Sequence, residues 1–262
     1  MQIPIYQIDA FASERFKGNP AAVCLLDDWL PDEILQKIAQ ENNISETAFL
    51  VKENDLYHIR WFTPTVEVDL CGHATLASAF VVLNEMQSDL NASNKVTFSS
   101  KSGALSVTCD SELLVMDFPA TEATLRSTPK EIIEAFGKEP LETLKSDDYM
   151  AVYEDEEDIS TLSPDYSILA RLDCRGIIAT SKGKNSDFVS RFFAPRCGIN
   201  EDPVTGSAHC TLAPYWANKL GKNRLSAKQL SKRGGELMCE YRDNRVLLSG
   251  RAIKYLEGKL YL

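Results

Sequence analysis

The chain has 262 residues, 44% of them hydrophobic and 25% charged, which is the balance of a globular protein able to bury a core and divide into one large or two modest domains. Thirty-eight acidic against 28 basic residues give a net charge of -10, which argues against a nucleic-acid backbone or an anionic membrane as partner but leaves room for a small anion in a local pocket. The opening Met1-Gln2-Ile3-Pro4 lacks the basic-then-apolar pattern of a leader, no stretch reaches membrane-spanning length, and seven irregularly spaced cysteines with no Cys-x-x-Cys read as reduced thiols of a cytoplasmic protein.

In chain order, residues 2–11 read as a strand, 16–20 as a turn and 21–26 as a second strand. Pro31 opens a helix with Asp32 and Glu33 at its positive end, and that helix closes near Asn42-Asn43. The stretch 44–51 begins polar and turns into a strand, which puts Glu46 at the strand's mouth, and 57–62 is another strand. Residues 74–84 are apolar on nearly every face, the pattern of a buried central helix wrapped by a curved sheet. Strands at 96–98, 104–108 and 113–118 close the first half near Pro119. Thr128-Pro129-Lys130-Glu131 predicts a capping box, 154–158 an acidic solvated loop, and 174–180 and 187–193 two strands. A less apolar helix at 208–220, interrupted by Pro214, precedes a meander of extended runs and a short tail after 252–256. The halves therefore divide as 1–119 and 120–262, with no flexible linker between them to keep them from packing closely.

A repeat runs under this order. Arg60-Trp61-Phe62-Thr63-Pro64 and Arg191-Phe192-Phe193-Ala194-Pro195 lie 131 positions apart, and Gly72 and Gly206, each before a polar residue and an alanine, lie 134 apart. Two copies of strand, loop and helix start make a duplicated domain rather than a solenoid. If both helix starts face one ligand, their free N–H groups suit an anion such as a carboxylate. Glu46, Asp69, His73, Asp202, Ser207 and His209 are the polar groups beside these elements, and a desolvated Glu46 would be suited to move a proton.

Other chemistries lack their spacing. No Gly-x-Gly-x-x-Gly or Gly-Lys-Ser/Thr loop supports a nucleotide, and histidines at 58, 73 and 209 form no His-Glu-x-x-His pair, though His73 and His209 with an aspartate remain a conceivable metal set. Gly206-Ser207-Ala208-His209 lacks the second glycine of a nucleophile elbow. Cys71 lies at a helix start, where a thiolate is stabilised, but its repeat partner is Thr205, so a two-thiol mechanism is not available at these paired positions.

Taken together, Tyr6-Gln7-Ile8-Asp9-Ala10-Phe11, Gly18-Asn19-Pro20-Ala21-Ala22-Val23, Ser45-Glu46-Thr47-Ala48-Phe49, Phe62-Thr63-Pro64, Gly72-His73-Ala74-Thr75 and Glu201-Asp202-Pro203-Val204-Thr205-Gly206-Ser207-Ala208 resemble, in order and over nearly the whole chain, the PhzF-like proteins of phenazine biosynthesis. The resemblance implies an α+β, diaminopimelate epimerase-like fold. It has two pseudo-symmetric domains, each a rolled, mostly antiparallel sheet around a central helix, with the active site between them and the last strand free to return to the first domain. It also implies a homodimer, and an isomerase without metal or cofactor that moves a proton between carbons of a small unsaturated or dihydro-aromatic carboxylate. Glu46 matches the family's acid/base, and His73, Asp202 and Ser207 its other catalytic groups. Gly72 and Gly206, with Cys71, Ala74 and Thr205 beside them, match the substrate-binding positions. Two alternatives stand beside this reading: an idle dimeric interaction protein on the same scaffold, and an amino-acid epimerase or racemase that uses Cys71.

Overall fold

A computed structural model describes residues 1–54, 56–86 and 94–262. The chain forms two compact units, one of Met1–Asp117 with Ser249–Leu262, the other of Phe118–Leu248. In the first, β1 (Gln2–Ala10), β2 (Asn19–Leu26), α1 (Asp32–Asn42), β3 (Glu46–Glu53), β4 (Leu56–Phe62), β5 (Glu67–Val68), α2 (Gly72–Glu85), β6 (Lys95–Ser100), β7 (Gly103–Asp110) and β8 (Leu113–Pro119) follow in order. The sheet is mostly antiparallel, with parallel pairs β2–β3 and β4–β6. Leu35, Ile38 and Ala39 of α1 pack on Ile5, Cys24, Phe49 and Phe62 on one side of this sheet. Most of the apolar residues of α2 are buried, as its composition requires: Ala74, Leu76, Ala77, Ala79, Val81 and Val82 are essentially inaccessible, while Phe80 and Leu83 are partly buried.

The second unit holds β9 (Thr124–Arg126), α3 (Lys130–Phe136), β10 (Glu142–Lys145), β11 (Tyr149–Val152), α4 (Glu156–Ser160), α5 (Tyr166–Leu169), β12 (Ile177–Lys182), β13 (Phe188–Ala194), β14 (Ile199–Asp202), α6 (Gly206–Leu220), β15 (Arg224–Gln229), β16 (Gly235–Arg242) and β17 (Arg245–Gly250). Its pairings retrace those of the first unit: β11–β12 and β13–β15 are parallel, while β12–β13, β13–β14 and β15–β16 are antiparallel. The Arg60 guanidinium forks onto Glu67 at 2.7 and 2.9 Å, and that of Arg191 onto Glu201 at 2.6 and 2.9 Å. Each arginine also lies over the phenylalanine two residues on. The Ser102 hydroxyl donates to the Asp69 carbonyl in one unit and that of Ser231 to the Pro203 carbonyl in the other. The two offsets in the sequence differ by three because the turn Pro195–Cys197 is inserted between β13 and β14.

The tail is longer than its sequence suggests. A final strand, β18 (Ala252–Tyr261), pairs antiparallel with β1 along its whole length, so residues 249–262 complete the first unit and the second ends at Leu248. Three local expectations give way. The Thr128 hydroxyl bonds Thr143 instead of capping α3, whose N-cap is Pro129 without a side-chain bond. The acidic run is not a loop, because Asp155 caps α4 by accepting from the N–H groups of Glu157 and Asp158. Pro214 does not interrupt α6: the Cys210 carbonyl it leaves without a helical donor accepts the N–H of Thr121 at 3.0 Å, which restores the missing bond from outside the helix. All seven cysteines are free, and no helix among the described residues is long and apolar enough to cross a membrane.

Candidate active site

In the first unit the site starts from a turn. Gly18 takes φ +66, and a Cβ there would lie 2.2 Å from the Ala10 carbonyl oxygen, so the bend requires glycine. The bend brings Asn19 to the first position of β2, fully buried. Parallel pairing of β2 with β3 sets Glu46, first residue of β3, beside Ala21. Cys71 is the extended N-cap of α2, without a side-chain cap, and Gly72, His73 and Ala74 form the first turn. These elements converge on His73. Its Nε2 lies 3.0 Å from Glu46 Oε2, while Nδ1 meets the Asn19 amide at 3.2 Å and the Cys71 thiol at 3.5 Å. With Asn19 donating to Nδ1, the neutral ring carries its proton on Nε2, facing the carboxylate.

Burial resists a charge on His73, but the Glu46 carboxylate 3.0 Å away outweighs it and raises the imidazole well above its ordinary 6.5. Burial and the Glu46 carboxylate push the Cys71 thiol upward against the opposing pull of His73, so the thiol stays protonated. The side chains of His73 and Glu46 are only 8% and 12% exposed, which makes the pair a desolvated one. The ligand atoms of Glu46, Cys71 and His73 lie within 4.8 Å of one another. Glu46 and Cys71 approach opposite nitrogens of one ring, however, so no single cation can bind all three without reorienting the imidazole. The arrangement suits proton movement between carboxylate and imidazole better than metal ligation.

The second unit builds its helix start differently. Thr205 is the extended N-cap of α6, again without a side-chain cap, and Gly206 begins the helix. Thr205 Oγ1 donates to Asp202 Oδ2, closing the loop between β14 and α6. Ser207 is exposed and accepts from Arg175 Nη1 at 2.9 Å, and that guanidinium is itself held by buried Asp148. Asp202 and Ser207 are therefore held by separate partners. Sequence reasoning missed Asn19, Arg175 and Gln229, while Asp69, which it singled out, is exposed, and its carbonyl accepts from Ser102.

Register shows what the repeat does not repeat. Phe62 faces Thr47 across β3–β4, and Phe193 faces Ile177 across β12–β13, so Gly176 stands where the first unit has Glu46. A Cβ at Gly176 would fall 2.3 Å from the Phe192 ring, which occupies that space. Only the first unit carries a carboxylate at this place. His209 corresponds to Thr75: the Thr75 hydroxyl donates to the Cys71 carbonyl at 2.6 Å, and His209 Nδ1 donates to the Thr205 carbonyl at 2.8 Å. His209 is thus a helix-start pin, and it belongs to no metal-ligand group among the described residues.

Burial lowers His209 to about 4, so it stays neutral in the fold while the unfolded chain protonates it near 6.5. Its contribution is present above 6.5 and is lost as pH falls toward 4. His73, raised instead, contributes fully below 6.5 and loses its contribution as pH rises through its higher value. Replacing His209 with the threonine of its repeat mate should flatten the acid limb. Between pH 7 and 5 the urea-unfolding stability of the wild type should fall by about 2 kcal/mol more than that of His209→Thr. Parallel losses would show that His209 is not what the acid titrates.

The family model for phenazine biosynthesis-like proteins matches residues 8–258. An uncharacterized isomerase of Pseudomonas aeruginosa is 53% identical over 262 residues, with 100% of both chains covered. The crystal structure of a PhzF-family protein of Enterococcus faecalis superposes with a TM-score of 0.97 at 48% identity, covering 100% of each chain. A hydroxyproline epimerase of Agrobacterium vitis shares the fold alone, at 8% identity and a TM-score of 0.64, with 99% of this chain and 92% of that one covered.

Proposed function

The chain belongs to the phenazine biosynthesis-like (PhzC/PhzF) family, and on that premise we propose that it is an isomerase in which Glu46 shifts a proton between carbons of a small unsaturated carboxylate. The observation that carries this reading is the desolvated Glu46–His73 pair, set against Gly176 at the matching place of the second unit. A racemase inverts a centre with an acid and a base on opposite faces, whereas one carboxyl group lifts a proton and returns it on the same face. Glu46 acts as the base toward an activated carbon, and its side chain, only 12% exposed, is largely withdrawn from bulk water that would compete for the proton. His73, held by Asn19, keeps Nε2 3.0 Å from the Glu46 carboxyl and stabilises charge there electrostatically. The uncapped first turn of α2 supplies N–H groups for the substrate carboxylate, and Asp202 and Ser207 are assigned to the reaction by their match to the family's catalytic positions.

Cys71 is a bystander in this scheme. Its thiol is held protonated, and Thr205 at the paired position is no second thiol, so the epimerase alternative lacks both of its bases. The test is incubation of metal-stripped protein with a panel of hydroxylated dihydro-aromatic amino acids and other unsaturated carboxylates in deuterated water, read by proton NMR. Solvent deuterium should enter one face of a ring or α-carbon. Inversion at the α-carbon with no double-bond shift would overturn the isomerase in favour of the epimerase.

A further inference from the structure

Gln229, the last residue of β15, is only 1% exposed, and a polar amide so deeply buried is destabilising unless its groups are bonded. All its partners lie on one loop. Oε1 accepts from the Thr205 N–H at 2.9 Å, and Nε2 donates to the Asp202 carbonyl at 2.7 Å and to Thr205 Oγ1 at 3.2 Å. Because Thr205 Oγ1 accepts from Gln229, its own proton is directed elsewhere, and it goes to Asp202 Oδ2. The chain of donation runs one way, from amide to hydroxyl to carboxylate.

The other half of the molecule serves as an internal control. Both loops share a serine pin, Ser102 to the Asp69 carbonyl and Ser231 to the Pro203 carbonyl, so that pin is what the fold itself needs. The register of β4 with β6 and of β13 with β15 places Ser100 opposite Gln229 in the repeat, and the register of β5 and β14 places Val68 opposite Asp202. Ser100 spends its hydroxyl within its own turn, on the Gly103 carbonyl and the Ser102 N–H. At the place of Asp202 the first unit has the apolar Val68 and at the place of Gln229 the short Ser100, so the amide occurs only in the half with a carboxylate at that position. We propose that Gln229 is a positioning residue for the reaction, fixing the Thr205 hydroxyl and through it the direction in which Asp202 presents its carboxylate. This inference rests on the reading that Asp202 takes part in the proton transfer.

Gln229→Glu is the decisive variant, since it keeps shape and the acceptor for the Thr205 N–H but cannot donate, so the Thr205 proton turns to the new carboxylate and away from Asp202. With whichever panel acid exchanges deuterium in a Glu46-dependent way, Gln229→Glu and Gln229→Leu should lower kcat by about a hundredfold, the scale of a small misplacement beside the reaction, with KM changed less than about threefold. Thr205→Val should lose as much, and adding Gln229→Leu to it should cost little more, whereas Thr205→Ser should restore most of the rate. Ser231→Ala should lower the unfolding midpoint while leaving kcat unchanged. Wild-type kcat in both Gln229 variants, or losses that multiply in the double variant, would overturn the proposal. Asp202→Asn separates the two failures: wild-type kcat there removes the participation of Asp202 itself, whereas a loss there with active Gln229 variants removes only the positioning role. Amide exchange decides without any substrate. Thr205 N–H should exchange at least about tenfold faster in Gln229→Leu with the interior of α6 unchanged, and unaltered Thr205 protection would overturn the contact on which the proposal stands.

Discussion

Glu46→Gln should reduce deuterium incorporation by about 10²- to 10⁴-fold, the range that a positioned general acid/base contributes. The amide preserves the size of the side chain at the start of β3 and can still meet His73, so fold and thermal midpoint should stay near wild type. What disappears is the basic oxygen. The loss should fall on kcat and kcat/KM together, because a base acts in the transition state and adds little to ground-state binding. Glu46→Asp retains the carboxyl but withdraws it by about one methylene, and it should fall between the two. Exchange at the wild-type rate in the glutamine variant would remove Glu46 as the base. Cys71→Ala offers the contrast: a loss as large as that of Glu46→Gln would move the thiol from bystander to participant.

The largest effect on stability should come from Arg191. Its side chain is 10% exposed, forks onto Glu201, and also donates to the carbonyls of Ile159 and Leu162 at 3.2 and 2.6 Å. Arg191→Met removes the cation and leaves a half-buried carboxylate and two carbonyls without that donor, which should lower urea-unfolding stability by about 3–5 kcal/mol. Adding Glu201→Leu should recover a good part of the loss, since taking away both charges leaves no uncompensated ion. A loss below about 1 kcal/mol in the single variant would mean that water replaces the arginine at little cost. Arg60 forms the same fork in the first unit, where Arg60 lowers Glu67 to about 2 despite burial and Lys101 adds to the effect. Arg60→Met should be the milder change, because Lys101 still answers Glu67.

The repeat was legible because it is written in residues with strong, local requirements: an arginine and aromatics that sit on one strand, and a glycine that opens a helix. Glu46 was legible for a similar reason, as the last charged residue before an apolar run. The almost wholly apolar stretch of α2 announced a buried helix. What stayed hidden depends on partners far away in the chain. Nothing around Asn19 says that it meets His73, 54 residues on, and nothing around Gln229 says that it reaches Thr205, 24 residues back. Pro214 looked like a break because its compensating donor, Thr121, lies outside the helix. Thr128 had the sequence of a cap, and a competing hydroxyl on Thr143 took it. β18 carries exposed charges without apolar alternation, so only its partner β1 identifies it as a strand.

That last pairing sets an order of events during synthesis. Residues 118–248 are contiguous and can fold once they have left the ribosome, but β1, made first, waits for β18, made last. At about 5–20 residues per second the delay is on the order of tens of seconds, during which one edge of β1 offers unpaired N–H and C=O groups to any passing strand. The nascent chain should therefore be most prone to aggregate in the interval before β18 emerges. A chain ending at Gly250 would hold it at that stage. Its β1 amides should exchange freely and its aggregation should be competed by an added peptide of the β18 sequence, while amide protection within 118–248 persists. Protection of β1 at full-length levels in the shortened chain would show that β2 alone secures it.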